Sequence, residues 1–263
     1  MSPDPDTKMP LALTRLPAPT LETGQLTYLE RQSIDYQLAL RQHDAYCEAL
    51  GSCGLQVIRL EALSALADSV FVEDCAIILD ELTILTSPGT LTRRDEIRQI
   101  EPEIARLRPV SRISPPATIE GGDVLQMGKT PFAGISPRTN PQGVQALQDI
   151  LQPYGYSVIP VQVYGCLHLK TGCTALDEHT LLVNPGWIDL NPLRDFTLVP
   201  VPENEPWAAN VLRVGETLFM SAAFPKTLEL VQSLGYSPKS LDISEYLKAE
   251  GGLTCLSLIF SLT

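Results

Sequence analysis

The chain has 263 residues, 44% of them apolar, and a formal charge of −12, which is enough length and apolar content for a globular core with no compositional sign of disorder. That acidity argues against a nucleic-acid partner, whose phosphates are held by clustered Lys and Arg, and favours a cationic ligand at long range. The leading MSPDPDTKMPLAL has proline and aspartate where a secretory signal needs basic residues before an apolar run, and no stretch is long enough to span a bilayer, so a cytoplasmic protein without a membrane partner is expected.

In chain order, residues 28–50 read as the first long helix, with Leu29, Ile34, Leu38 and Tyr46 at roughly helical spacing and Gly51 and Gly54 as stop signals. His43 falls on that helix, where an exposed histidine needs no explanation. The run LQVIRL then reads as a strand. A pattern follows: the apolar run CAIIL, a polar turn at Asp80 and Glu81, the apolar run LTILT, a Pro-Gly break and the helix-like RRDEIRQI. Similar units recur as DVLQMGKTPFAGIS before PRTNPQGVQALQDIL, as CTALDEHTLLVN before PGWIDLNPLRDF, and as NVLRVGETLFMS before FPKTLELVQSL, with TCLSLIFSLT as a closing strand. A repeat of about 40 to 50 residues suits stacked or radially arranged units, and by itself does not separate a ring from an open α/β sheet. The 22 prolines punctuate the units without gathering into a linker, so residues 1–263 are expected to form one domain, with about the first 14 as a flexible lead.

Chemistry-bearing residues cluster at the starts of these units. Asp68, Glu73 and Asp74 stand in an otherwise apolar, strand-like stretch, where alternation would place Asp68 and Asp74 on one face and Glu73 on the other unless the backbone kinks. Buried carboxylates need a cationic partner, and a planar guanidinium satisfies two at once; a strand end emerging into solvent is the plainer reading. In Thr-Ile-Glu120-Gly-Gly-Asp123 two glycines let the chain turn sharply before a strand. Arg93 and Arg138 follow the second strand of their units at matching positions, and together could clamp a carboxylate. His168 lies in a short apolar segment, as consistent with a satisfied core residue as with a catalytic base.

The six cysteines read as thiols, not a disulfide framework. Cys255, just after Gly251 and Gly252 at the start of the closing strand, is the best nucleophile candidate among them. A buried, inert thiol is the alternative. Cys166, His168 and Cys173 do not match zinc-site spacing, and no phosphate-binding glycine loop is present, so no metal or cofactor is expected.

The segments DSVFVEDCAI, SPGTLTRRDE, TIEGGDVL, SPRTN, LHLKTG, PWAAN and EGGLTCLSL occur in an order and spacing that resemble the dimethylarginine dimethylaminohydrolases, from about Arg15 to near the carboxyl end. The resemblance implies the pentein fold, a five-unit α/β propeller with pseudo-fivefold symmetry. It also implies a site in which Cys255 is the nucleophile, His168 the general acid and base, and Glu120 the residue that orients the histidine. Asp68 and Asp74 would hold the amino acid or its guanidinium, with Glu73 nearby; Phe71 would line the pocket; Arg93 and Arg138 would bind the α-carboxylate; the backbone around Leu26 would meet the α-amine. Two positions depart from the family pattern: Glu250 stands where members have Asp, and Thr171 where some have Ser. The implied reaction is hydrolysis of methylated arginine to citrulline with a small-molecule substrate, no metal or organic cofactor, and a homodimer as one compatible assembly. The alternatives are a related guanidine-modifying enzyme, such as an arginine deiminase or an amidinotransferase, and a non-catalytic binding protein on the same scaffold.

Overall fold

In the computed structural model, which describes residues 10–261, the chain opens with β1 (Pro10–Arg15), helix α1 (Tyr36–Ser52) and β2 (Gln56–Leu60). A second unit comprises β3 (Ala76–Ile78), β4 (Thr83–Leu85), α2 (Arg94–Ala105) and β5 (Val110–Arg112), and a third β6 (Val124–Met127), β7 (Thr130–Ile135), α3 (Pro141–Leu151) and β8 (Ile159–Gln162). The short helix α4 (Leu169–Gly172) leads into β9 (Cys173–Ala175), β10 (Thr180–Val183) and β11 (Thr197–Pro200). Then come β12 (Leu212–Val214), β13 (Thr217–Ser221), α5 (Pro225–Ser233) and β14 (Lys239–Leu241), followed by α6 (Ser244–Leu247) and β15 (Leu258–Ser261).

The strands form five three-stranded sheets, β15-β1-β2, β3-β4-β5, β6-β7-β8, β9-β10-β11 and β12-β13-β14. In each, the middle strand pairs antiparallel with the first and parallel with the third. In four of the sheets a turn reverses the chain between the first two strands, whereas the parallel third strand needs a longer crossover, which the helix usually supplies. The first strands of all five sheets line one central cavity of about 320 Å³, with Ile77, Leu125, Ala175, Leu212 and Leu258 among its walls. This is the five-unit α/β propeller, closed where the last strand pairs with the first, Leu11 opposite Phe260.

Several expectations are corrected. The first helix starts at Tyr36, not residue 28, because Asp35 caps it by accepting the Leu38 N–H at 2.9 Å while residues 27–29 spend their N–H groups elsewhere. His43 lies on the buried face of that helix, fully inaccessible. The stretch 68–75 is not a strand: it turns through a 3₁₀ helix, Val72–Cys75, before β3, so strand alternation does not govern its acids. The segment PGWIDLNPLRDF carries only a 3₁₀ turn, Asn191–Leu193, as its crossover. Each unit also holds a parallel third strand absent from the strand, turn, strand, helix reading. Of the expected flexible lead, residues 1–9 lie outside the described residues, and Pro10–Arg15 form β1, buried from Leu11 onward. Among the described residues no helix is long and apolar enough to cross a membrane.

Candidate active site

Because the five inner strands run around one axis, residues just before four of them meet at one end of the ring. Asp68, Phe71 and Asp74 precede β3, Glu120 and Gly122 precede β6, His168 precedes β9 and Cys255 precedes β15. Asp68, Phe71, Asp74, Arg93, Arg138, His168, Glu250 and Cys255 line one small cavity of about 20 Å³, with Gln25 from the early loop.

His168 is buried, and its Nε2 lies 2.7 Å from Glu120 Oε2 and 3.9 Å from Asp74 Oδ1. Burial pushes the imidazole pKa down, but Asp74, Asp123 and Glu120 outweigh it and hold the ring at about 9, so His168 is an imidazolium at neutral pH. Glu120, wholly buried, uses its other oxygen to accept the Gly89 N–H at 3.1 Å. Asp74 accepts the Gly122 N–H at 3.0 Å and Arg93 Nη1 at 2.5 Å; against the cost of burial, His168 and Arg93 hold its carboxyl down at about 2. A Cβ on Gly122 would lie 2.7 Å from His168 Nδ1 and 2.8 Å from Asp74 Oδ1, so glycine there lets imidazole and carboxylate close on the turn. Ligand atoms of Asp74, Glu120 and His168 lie within 4.8 Å of one another, a metal-like grouping. The imidazolium between the carboxylates and Arg93 on Asp74 already supply its countercharge.

Cys255 is half-buried in a 3₁₀ turn, Thr254–Leu256, just before β15. Its Sγ accepts the Gly252 N–H at 3.3 Å. Burial raises the thiol pKa, and Glu73 and Asp74 raise it further, so the resting thiol is protonated and gains acidity when a cation enters among those acids.

The two arginines differ. Arg93 is buried and fully engaged: Nη1 on Asp74, Nε and Nη2 on Glu96 at 3.1 and 2.8 Å, and Nη2 also on the Phe71 carbonyl at 3.1 Å. Arg138 is also buried; its Nη1 lies in an ion pair 3.5 Å from Glu120 Oε1 without a hydrogen-bond partner among the described residues. Arg138 therefore lines the cavity with one N–H donor not hydrogen-bonded, and Arg93 holds Asp74. Glu73 faces the other way: it pairs with Lys170 at 2.5 Å and accepts Thr254 Oγ1 at 2.8 Å, and it lines the central cavity of the ring. Asp68 accepts the Gln25 N–H at 3.1 Å to each oxygen. Thr171 lines a separate, largely apolar cavity of about 240 Å³ that adjoins Cys255. The Leu26 side chain lines neither.

Relatives can be compared against this geometry. The N(G),N(G)-dimethylarginine dimethylaminohydrolase of Streptomyces coelicolor is 42% identical over 250 residues, covering 94% of this chain and 95% of that protein. The chain belongs to the dimethylarginine dimethylaminohydrolase family. The enzyme of that family from Pseudomonas aeruginosa, solved as a cysteine-to-serine variant with citrulline, superposes with a TM-score of 0.89 at 37% identity, over 96% of this chain and all of that one. A histidine-to-glycine dimethylarginine dimethylaminohydrolase captured as an adduct with S-methyl-L-thiocitrulline gives 0.90, also at 37% identity, over 95% and 98% of the two chains. The family model for arginine deiminase matches residues 97–210.

In this member of the dimethylarginine dimethylaminohydrolase family, several residues without an assigned role in the sequence reading prove structural to the site. Asp123, wholly buried, accepts Ser136 Oγ and Thr139 Oγ1, each at 2.6 Å, and the Leu169 N–H at 2.9 Å, tying the start of α4 beside His168 to β7. Burial raises its pKa to about 6 despite the nearby His168 and these donors. Glu96 completes the Arg93 pair, and Lys170 with Thr254 fixes Glu73. The one available signal was Asp123, three residues after Glu120 in the glycine turn; Glu96 and Lys170 carry no local signal of their partners.

Proposed function

We propose that the protein hydrolyses Nω-methylated arginines, asymmetric dimethylarginine and monomethylarginine, to citrulline plus dimethylamine or methylamine. The observation that carries the reading is a thiol and an imidazolium on one cavity with Asp74 and Asp68, in a chain 42% identical to a dimethylarginine dimethylaminohydrolase. A guanidinium among those acids is held flat and supplies the cation that ionises Cys255. The thiolate adds to the central guanidinium carbon; the methylated amine leaves with a proton from His168, giving a cysteine-bound thiouronium. His168 then takes a proton from water, whose oxygen adds to the same carbon, and the thiol departs to leave citrulline. Glu120 keeps the ring oriented and charged. Arg138 pairs with the substrate α-carboxylate through the N–H donor left without a hydrogen bond, and Arg93 acts chiefly by fixing Asp74. No step calls on a metal or organic cofactor.

The match to the arginine deiminase model favours a second reading in which free arginine is the substrate. Citrulline release from asymmetric dimethylarginine, monomethylarginine and arginine, compared side by side, decides between them. Turnover of both methylated substrates well above arginine is expected, and equal turnover of arginine counts against the primary reading.

A further inference from the structure

We infer that Glu250 is a positioning residue that couples closure of the 25–29 loop over the cavity to the placement of the Cys255 turn. The inference rests on the hydrolase reading for its kinetic consequences and on geometry alone for the coupling. One oxygen of Glu250, Oε1, accepts three successive backbone N–H groups, from Thr27 at 2.9 Å, Tyr28 at 2.5 Å and Leu29 at 2.6 Å. Consecutive N–H groups turned inward make a concave anion seat, and here the anion is a side chain more than two hundred residues away in sequence. Its second oxygen is buried with no hydrogen-bond partner among the described residues, so the loop alone clasps this carboxylate.

The backbone under that side chain is unusual. Glu250 has φ 58° and is the non-glycine residue with positive φ among those described. Its N–H donates to the Leu247 carbonyl and the Gly251 N–H to the Tyr246 carbonyl, at 3.1 and 2.9 Å, so Glu250 ends α6 where glycine is the relaxed choice. A glutamate in that conformation is retained against strain, which its three bonds to the loop offset.

Closure and thiol placement are then linked by a short stiff path. After Glu250, Gly251 packs so closely on Phe71 that a Cβ would sit 2.2 Å from its ring, and the Gly252 N–H meets Cys255 Sγ. On the loop side, Gln25 is tied to Asp68, and Ser33 and Asp35 are tied to Lys248 and Glu245 of the same α6 segment, at 3.0 and 2.8 Å. With the clasp made, the cavity is about 20 Å³, far below the roughly 300 Å³ or more of ordinary ligand pockets. Leu29 and Glu250 also border the adjoining cavity of about 240 Å³ at Cys255, so lifting the 25–29 loop enlarges the space an amino acid can take beside the thiol, and the loop closes again by returning three N–H groups to Glu250.

The test compares Glu250→Gln, Glu250→Asp and Glu250→Gly with the wild type by amide hydrogen exchange at residues 27–29 and by steady-state kinetics with asymmetric dimethylarginine. Glycine keeps the left-handed turn without strain, so that variant folds and reports the side chain alone. Glu250→Gly and Glu250→Gln should exchange those amides about tenfold faster and raise KM about tenfold or more, with Glu250→Asp between them and the wild type. A raised KM with the 27–29 amides still protected would overturn the clasp and make Glu250 a substrate contact. Unchanged exchange and unchanged KM would overturn it as well. A wild type that turns over none of the methylated arginines defeats the hydrolase reading, while the exchange measurement still decides the clasp.

Discussion

At the scale of residues, the site works through charge placed where burial would forbid it. His168 keeps its proton because Asp74, Asp123 and Glu120 outweigh desolvation, whereas Cys255 keeps its proton because burial, with Glu73 and Asp74, opposes a thiolate. The two groups thus rest in the states opposite to those of a preformed thiolate and neutral base, and in the proposed reaction a guanidinium arriving between them reverses the thiol's position first. Two outcomes follow. Cys255→Ser should lose citrulline formation by roughly three orders of magnitude or more while still binding citrulline, because the less nucleophilic hydroxyl cannot take over the attack; calorimetry beside the rate assay checks both halves. The second concerns pH. His168 acts as an acid only while protonated, so the rate should fall as pH rises through about 9, a limb visible in a kcat profile and absent when His168 is replaced. The same shift has a stability sign: a folded pKa raised above the ordinary 6.5 contributes fully below that pH and loses its contribution as pH passes 9.

At the scale of elements, the turns before the inner strands set the geometry. The Glu120-Gly-Gly-Asp123 turn carries the carboxylate bonded to His168 at one end and an anchoring one at the other; Gly121 lets the chain pass against the Glu73 and Ala76 carbonyls, and Gly122 lets it pass beneath Asp74 and His168. Asp123 holds three donors that would otherwise be buried without partners. Asp123→Asn keeps the shape but turns an amide N–H₂ toward hydrogen-bond donors. The expected cost is about 2 to 3 kcal/mol in urea unfolding, with a fall in kcat as α4 and His168 lose their anchor. The helix at the amino end makes the complementary point: its apolar spacing runs back to residue 28, yet the N–H groups of residues 27–29 converge on one oxygen of Glu250, and Asp35 starts the helix instead.

At the scale of the whole molecule, stability follows from closing the ring. β15 must reach back to β1 before Cys255 can share a cavity with His168, so the proposed nucleophile is in place only when first and last segments pair. Helix α1 packs in the same region with His43 wholly buried; burial, aided by Arg59, holds the pKa of that imidazole down at about 4. Its contribution to stability is therefore present above the unfolded value of 6.5 and lost as pH falls toward 4. Unfolding in urea should weaken by roughly 3 kcal/mol from this group across that interval, and His43→Leu should flatten that part of the dependence.

Much of this protein was legible in its sequence because the information is local. Paired apolar runs around polar turns specify hairpins, their spacing specifies repetition, and ordered motifs such as TIEGGDVL and EGGLTCLSL carry the kinship with a guanidine-cleaving family. Which partner each charge takes was decided by tertiary structure. Arg93 and Arg138 occupy matching positions, yet one is consumed by Asp74 and Glu96 while the other keeps an N–H group without a hydrogen bond; Glu73 and Asp74 are neighbours, yet Glu73 lines the central cavity and Asp74 the small cavity beside Cys255. An ion pair depends on distances between segments far apart in the chain, and those distances exist only once the five sheets have closed around their axis.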